Sequence, residues 1–284
     1  MATFYNQATL SYGGNTVISN TTEAELLSGL EIAKRAIGAT YTPGGNIVYA
    51  VTVSNMGSTA YNALTVTDNL GAYALPGGAV AQPLTYVQDS ILYYLNGVLQ
   101  PAPTVIATQG LLIEDVSLPA NSTATFIYEA VANEFAPVGQ GATITNTAAT
   151  NGGAGVGEIT ASATVSVEEA LQLTIAKAVC PAVLTDNDLL TYTLIVQNLG
   201  NTPIVATDGV IIRDVFNPIL SDITVTLDGT ALEEGTGYTY NEATGEFATT
   251  DGAITVPAAT YTQSPAGSIT TTPGVTVLTV TGRV

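Results

Sequence analysis

Four stretches of this chain occur twice, in the same order. Leu30-Glu31-Ile32-Ala33-Lys34 returns as Leu173-Thr174-Ile175-Ala176-Lys177, and the run from Ile47 to Asn55, closed by Met56-Gly57, returns as Leu190 to Asn198, closed by Leu199-Gly200. Leu64-Thr65-Val66-Thr67-Asp68 returns as Val210-Ile211-Ile212-Arg213-Asp214, and Ile91 to Gly97 returns as Ile223 to Gly229. Ordered repetition of this kind means one domain duplicated, with copies over roughly 30–150 and 171–284. Inside each copy apolar and polar residues alternate between Gly, Asn and Pro, and β-branched residues are frequent. Period-two alternation with regular turn signals predicts antiparallel sheet, and sandwiches are the natural packing of such strands. The expected fold class is all-β: two tandem Ig-like antiparallel β-sandwiches. Only Thr22 to Leu27 and Val167 to Leu171 read as helical, for a turn or two each.

The copies end differently. Copy one runs through Thr123 to Tyr128 and adds a strand, Thr143-Ile144-Thr145-Asn146-Thr147-Ala148. Copy two stops at Val275 to Val280, the counterpart of the penultimate strand, shortly before Val284. A segment like the missing strand stands at the other terminus, where Phe4-Tyr5-Asn6-Gln7-Ala8-Thr9-Leu10 resembles Ile144 to Thr150. The expected organisation is a donor strand over 1–12, a linker over 13–29, a sandwich over 30–150, a linker over 151–170 and a strand-deficient sandwich over 171–284. An open sandwich leaves apolar side chains and backbone groups unpaired, and a strand from another chain can fill it. Phe4, Asn6, Ala8 and Leu10 share one face of the donor. Such a head-to-tail contact does not close on itself, so identical subunits would form a filament. The alternative is that residues 1–12 form a tail or pair within their own chain.

Lys34 and Lys177 are the only lysines, and they occupy matching repeat positions. Alternation puts Lys34 on the apolar face with Leu30, Ile32 and Ala36, and Lys177 with Leu173, Ile175 and Val179. A buried, unpaired ammonium costs several kcal/mol, so each lysine needs a partner or must lose its charge. Asp68, Asp214, Asn146 and Asn6 fall on inward faces by the same rule. Lysine, aspartate and asparagine turned inward together are the ingredients of an isopeptide bond. A desolvated amine is neutral and nucleophilic; a buried, protonated aspartate would polarise the asparagine carboxamide, and packing would hold the two ends together. The intrachain candidates are Lys34, Asp68 and Asn146, with Glu129 as an alternative acid; the interchain candidates are Lys177, Asp214 and a donated Asn6. The competing reading is a simple Lys–Asp salt bridge, or a lysine reaching the sheet edge. Used once, such a group is self-maturation, and no turnover enzyme is expected.

Composition narrows the remaining classes. Among 284 residues, Asp plus Glu number 23 against 5 Lys plus Arg, a net charge of −18, with no His, no Trp and one Cys. His-based catalysis, zinc ligation and binding to a nucleic-acid backbone are poorly served by such a set. No cofactor, metal or nucleic-acid partner is expected. No run of about 18 apolar residues exists to span a bilayer. The first residues have no basic start or apolar core, so export is expected by lysis, by a non-standard route or after loss of a leader. Thr185-Asp186-Asn187-Asp188 carries oxygen ligands but not the spacing of a calcium loop, and reads as an acidic turn. Cys180 is expected to be a free thiol.

The lysine strands, the Tyr49 to Gly57 strand and turn, the strand ending at Asp68 and Thr145-Asn146-Thr147-Ala148 resemble the bacterial conserved-repeat domain called domain of unknown function eleven. The resemblance covers both copies, and the second departs from it in losing the asparagine strand. It implies an Ig-like structural role at a Gram-positive surface. Chains with such domains are similar to components of clostridial spore appendages, and the Lys/Asp/Asn set is similar to that of isopeptide-bearing pilins and adhesins. An extracellular fibre subunit on a spore or cell surface is therefore expected, with any host or surface receptor unspecified. The alternative is a surface adhesin or carbohydrate-binding module with spacer sandwiches.

Overall fold

The computed structural model describes residues 2–26, 29–151, 157–183, 185 and 188–284. Among them the backbone is almost entirely extended, and the single helical element is a 3-10 turn at Ala206–Asp208. The chain divides into two compact units, the first ending its main run at Val167 and the second holding Glu168 to Ser264 and the C-terminal strand.

Unit 1 is an antiparallel sandwich. One sheet runs in the order Val98–Gln100, Leu92–Leu95, Ser122–Ala132, Asn46–Asn55, Leu30–Ile37, with Leu84–Tyr86 pairing the far end of Ser122–Ala132. The facing sheet runs Thr104–Ile106, Leu111–Leu118, Tyr61–Asp68, Thr143–Asn151, Glu158–Val167, Thr40–Tyr41, where only the last pairing is parallel. Every second residue of the long central strands is buried, and Tyr49, Val53, Ile113, Phe126 and Ile144 fill the space between the sheets. Asn55 anchors the end of its strand: its amide donates to the Thr59 and Pro119 carbonyls and its carbonyl accepts from Gly57 N–H.

Unit 2 repeats half of this plan. Its larger sheet runs Leu173–Cys180, Leu189–Asn198, Gly274–Arg283, Ser221–Leu227, Thr230–Leu232. Asn198 makes the turn that Asn55 makes in unit 1, donating to Thr202 and accepting from Gly200 N–H. The Asn96-Gly97 and Asp228-Gly229 hairpin turns also match, all four residues at positive φ. The opposite layer is smaller: Arg213–Val215, Glu246–Thr249 and Tyr238–Asn241. Leu190, Phe216, Phe247, Leu278 and Val280 form its core.

Three expectations need correction. Glu158–Val167, placed in the 151–170 linker, is a strand of unit 1 that pairs along the asparagine strand. Its alternate residues Ala163, Val165 and Val167 are buried, so tertiary packing rather than side-chain bulk holds it. Two strands of copy one, Thr143–Asn151 and Glu158–Val167, therefore have no counterpart among the described residues of copy two, where one was expected to be missing. Thr22–Leu26 is extended rather than helical, because it pairs with Ala2–Asn6, and residues 168–171 have no regular structure; Leu27 lies outside the described residues. The N-terminal segment is not a lone strand followed by a linker: Thr9–Tyr12 pairs with Asn15–Ile18 across Gly13-Gly14, so residues 2–26 form one hairpin. Its described side chains are exposed, including Phe4, Leu10, Val17 and Ile18.

Candidate functional site

The lysine strand enters unit 1 at the edge of one sheet, with Leu30, Ile32, Lys34 and Ala36 turned toward the facing sheet. No solvent reaches the Lys34 side chain. Opposite it stand Asp68, the last residue of its strand, and Asn146, which is fully buried. Lys34 Nζ contacts Asp68 Oδ2 directly and donates to the Tyr128 hydroxyl at 3.0 Å. The Tyr128 hydroxyl donates to the same Asp68 oxygen and accepts from Asn146 Nδ2 at 3.2 Å. Lysine, aspartate and asparagine therefore meet on one phenolic oxygen. The aspartate's other oxygen accepts from Leu70 N–H at 2.9 Å.

The asparagine carbonyl shares a backbone donor with Asn69 Oδ1, which accepts from the same Gly71 N–H at 2.9 Å. Gly71 N–H lies 3.2 Å from Asn146 Oδ1, where negative charge would develop if the carboxamide were attacked. Only glycine suits this position: φ is +73°, and a Cβ would stand 2.6 Å from Ile144 Cγ2. The expected contact between Asp68 and the asparagine carbonyl is replaced by this backbone donor, while Asp68 serves the lysine and the tyrosine.

Electrostatics in the cluster shift the amine toward its neutral form. Burial lowers the Lys34 pKa, and the Asp68 carboxylate opposes that only in part. Burial, then the Asp68 charge, raises Tyr128 well above an ordinary phenol, so it stays protonated. Tyr49, stacked on Tyr128 at 5.8 Å and lying under the lysine, is raised for the same reasons. Its buried hydroxyl has no partner in hydrogen-bonding geometry. An amine and a carboxamide that share one phenolic oxygen in a dry pocket have the ingredients to condense and expel ammonia, with a hydroxyl between the aspartate and the amide nitrogen through which a proton could pass.

In unit 2, Lys177 and Asp214 meet as expected, with Nζ 2.5 Å from Oδ2. The lysine lies over the Tyr192 ring at 4.3 Å and the Phe216 ring at 5.3 Å. The setting differs in two ways. The Lys177 side chain is 39% exposed, and Val280 stands where Tyr128 stands in unit 1, since it pairs Tyr192 as Tyr128 pairs Tyr49. Among the described strands of unit 2 none is a counterpart of the Asn146 strand, and Asn6 is exposed on the N-terminal hairpin.

Uncovering extends along the whole lysine strand of unit 2. Leu173, Ile175 and Val179 are exposed, Ile175 by 58%, and every residue of Leu173–Cys180 is open to solvent. In unit 1 the same face is closed by Glu158–Val167 and the asparagine strand, which pack against it. Leu30 is 2% exposed and its repeat counterpart Leu173 is 43% exposed.

Glu129 does not join the cluster. It faces outward and accepts from Asn46 Nδ2. Tyr128, Tyr49 and Gly71 escaped the reading of the sequence, although the alternation of Phe126, Tyr128 and Ala130 already put the tyrosine on the inner face. Of the acidic turn, Asp186 and Asn187 lie outside the described residues, while Asp188 accepts from the Thr185 N–H and hydroxyl. Among the described residues no cluster of potential metal ligands occurs, and no helix is long and apolar enough to cross a membrane. Cys180 is an exposed free thiol.

No protein-family model matches the chain, and no curated protein matches it. Among solved structures it is similar to the major pilin subunit BcpA of Bacillus cereus, at 11% identity over 94% of this chain and 70% of that one, with a TM-score of 0.38. It is also similar to the full-length major pilin SpaD of Corynebacterium diphtheriae, at 10% identity over 92% and 73%, with a TM-score of 0.37. A third is the C-terminal fragment of the major pilin GBS80 of Streptococcus agalactiae, at 13% identity over 80% and 78%, with a TM-score of 0.35.

Proposed function

We propose that this chain is the structural subunit of an extracellular filament, a spore or cell-surface appendage, that polymerises head to tail. The N-terminal segment of one subunit fills the open side of unit 2 in the next. Lys–Asn isopeptide bonds then reinforce the fibre, Lys34 to Asn146 within each subunit and Lys177 to Asn6 between subunits. The observation that carries this reading is the contrast between the lysine strands: covered in unit 1, bare in unit 2, with a spare asparagine segment at the N-terminus.

The chemistry is balanced without a cofactor. The lysine ammonium passes a proton to its aspartate, and the free amine attacks the asparagine Cγ. A C–N bond forms, the bond from Cγ to Nδ2 breaks, and the proton shed by the attacking nitrogen leaves with Nδ2 as ammonia. In unit 1, Gly71 N–H supports the developing oxyanion and Tyr128 relays the proton between Asp68 and the leaving nitrogen.

Intact mass of the unfolded chain tests the intrachain bond: the expected value is one ammonia below that of the sequence, restored in full by Lys34→Ala or Asn146→Ala. Full calculated mass in the unaltered chain would remove that bond. Heating assembled material in detergent tests the polymer. High-mass ladders are expected from the full chain and monomer alone from a chain lacking residues 1–12, with a Lys177–Asn6 junction among the proteolytic fragments of the ladder. A full chain that runs as monomer at every concentration would overturn the filament.

A further inference from the structure

We infer that the element donated between subunits is a hairpin, residues 2–26, rather than a single strand; this rests on the filament reading above and specifies its interface. The part missing from unit 2 is itself a hairpin. In unit 1 it consists of Thr143–Asn151 and Glu158–Val167, with Asn146 opposite Ala163 and Ile144 opposite Val165. The N-terminal hairpin has a like arrangement up to its asparagine, with Asn6 opposite Thr22 and Phe4 opposite Ala24, after which its ladder breaks and resumes one residue out of register at Thr9 opposite Ile18. The asparagine therefore sits at an equivalent place in both hairpins, with an apolar pair one step beyond it.

The receiving side has two matching vacancies. Arg213–Val215 is an edge strand in unit 2, whereas its counterpart Tyr61–Asp68 is paired on both sides in unit 1, with Ala148 opposite Asp68. The first arm of the hairpin fits that edge, setting Ala8 opposite Asp214 and turning Asn6 toward Lys177. The second vacancy is the bare face of Leu173–Cys180, which in unit 1 lies under Glu158–Val167. The second arm fits there, with Thr22 and Ala24 turned inward and Glu23 outward to solvent. A single strand would pair the edge and leave Leu173, Ile175 and Val179 wet. The partner is a second copy of this chain, because the hairpin of like arrangement is its own.

Three variants of the full chain decide the matter, each altering a residue exposed in the free subunit: Phe4→Asp in the first arm, Ala24→Asp on the inner face of the second, and Glu23→Lys on its outer face. Hairpin donation predicts that Phe4→Asp and Ala24→Asp both abolish the detergent-resistant ladders, while Glu23→Lys retains them. Ala24→Val, which copies the Val165 of unit 1, is expected to form ladders at least as fast as the unaltered chain. Ladders that survive Ala24→Asp but not Phe4→Asp would overturn the hairpin and leave strand donation standing. Ladders that survive both would overturn donation by the N-terminal segment altogether, hairpin and single strand alike, whereas an unaltered chain without ladders would overturn the filament reading itself. Loss of ladders in Glu23→Lys equal to that in Ala24→Asp would trace the effect to charge and overturn the packing assigned to the second arm.

Discussion

At the scale of single residues, Tyr128 is the pivot of unit 1. One hydroxyl touches Lys34 Nζ, Asp68 Oδ2 and Asn146 Nδ2, so under the proposed chemistry Tyr128→Phe removes a proton relay while changing shape little. Bond formation on refolding is expected to slow by about 100-fold or more, the usual range for a lost general acid, read as the rate at which unfolded mass falls by one ammonia. An unchanged rate would confine Tyr128 to packing. A second expectation concerns pH in the unbonded variant Asn146→Ala. Lys34 releases its proton more readily in the folded than in the unfolded chain, so the folded state holds fewer protons between its lowered pKa and the ordinary 10.5. Stability then rises with pH through that window. Tyr128 and Tyr49 act oppositely, keeping protons that unfolded phenols lose above about pH 10. Urea midpoints for the variant are expected to climb with pH below about 10 and to fall above it; a flat profile would mean that Lys34 is not held in its buried site.

At the scale of elements, the same strand has different weight in the two units. Leu30→Ala empties a buried position on the lysine strand of unit 1 and should cost about 2–5 kcal/mol. Ile175→Ala removes a side chain that solvent already reaches, and should leave the free subunit within about 0.5 kcal/mol of the original. Denaturation of monomer checks both, and an equal loss would mean that the lysine strand of unit 2 is covered. Strands with large apolar residues, such as Ile47 to Asn55, were legible because alternation there has high contrast. Glu158–Val167 was not, since Ala, Ser and Thr differ little in hydropathy and only the hydrogen-bonded neighbour reveals their faces. Thr22–Leu26 misled in the other direction: glutamate, alanine and leucine favour helix locally, and pairing with Ala2–Asn6 overrides the preference. The Lys34, Asp68 and Asn146 triad could be read because charged residues on an apolar face demand partners. Gly71 could not, because its part is played by a backbone N–H that no side chain announces.

At the scale of the whole molecule, a net charge of −18 means that copies of the chain repel one another at a distance, which the proposed assembly has to overcome. Raising salt from about 0.01 M to 0.15 M shortens the screening length from about 30 Å to 8 Å. Assembly followed by light scattering is therefore expected to speed up over that range, and a slower rate would point to attraction between the few basic residues and the acidic surface. The bare lysine strand of unit 2 carries a consequence of another sort. In the proposed filament a row of subunits would have unlike extremities, one presenting an empty berth and the other an unused hairpin, and growth would have a direction. A free peptide spanning residues 2–26 would then dock at the first extremity and stop it, and a detached second unit would silence the other, which makes length something a cell could set by the supply of two different plugs.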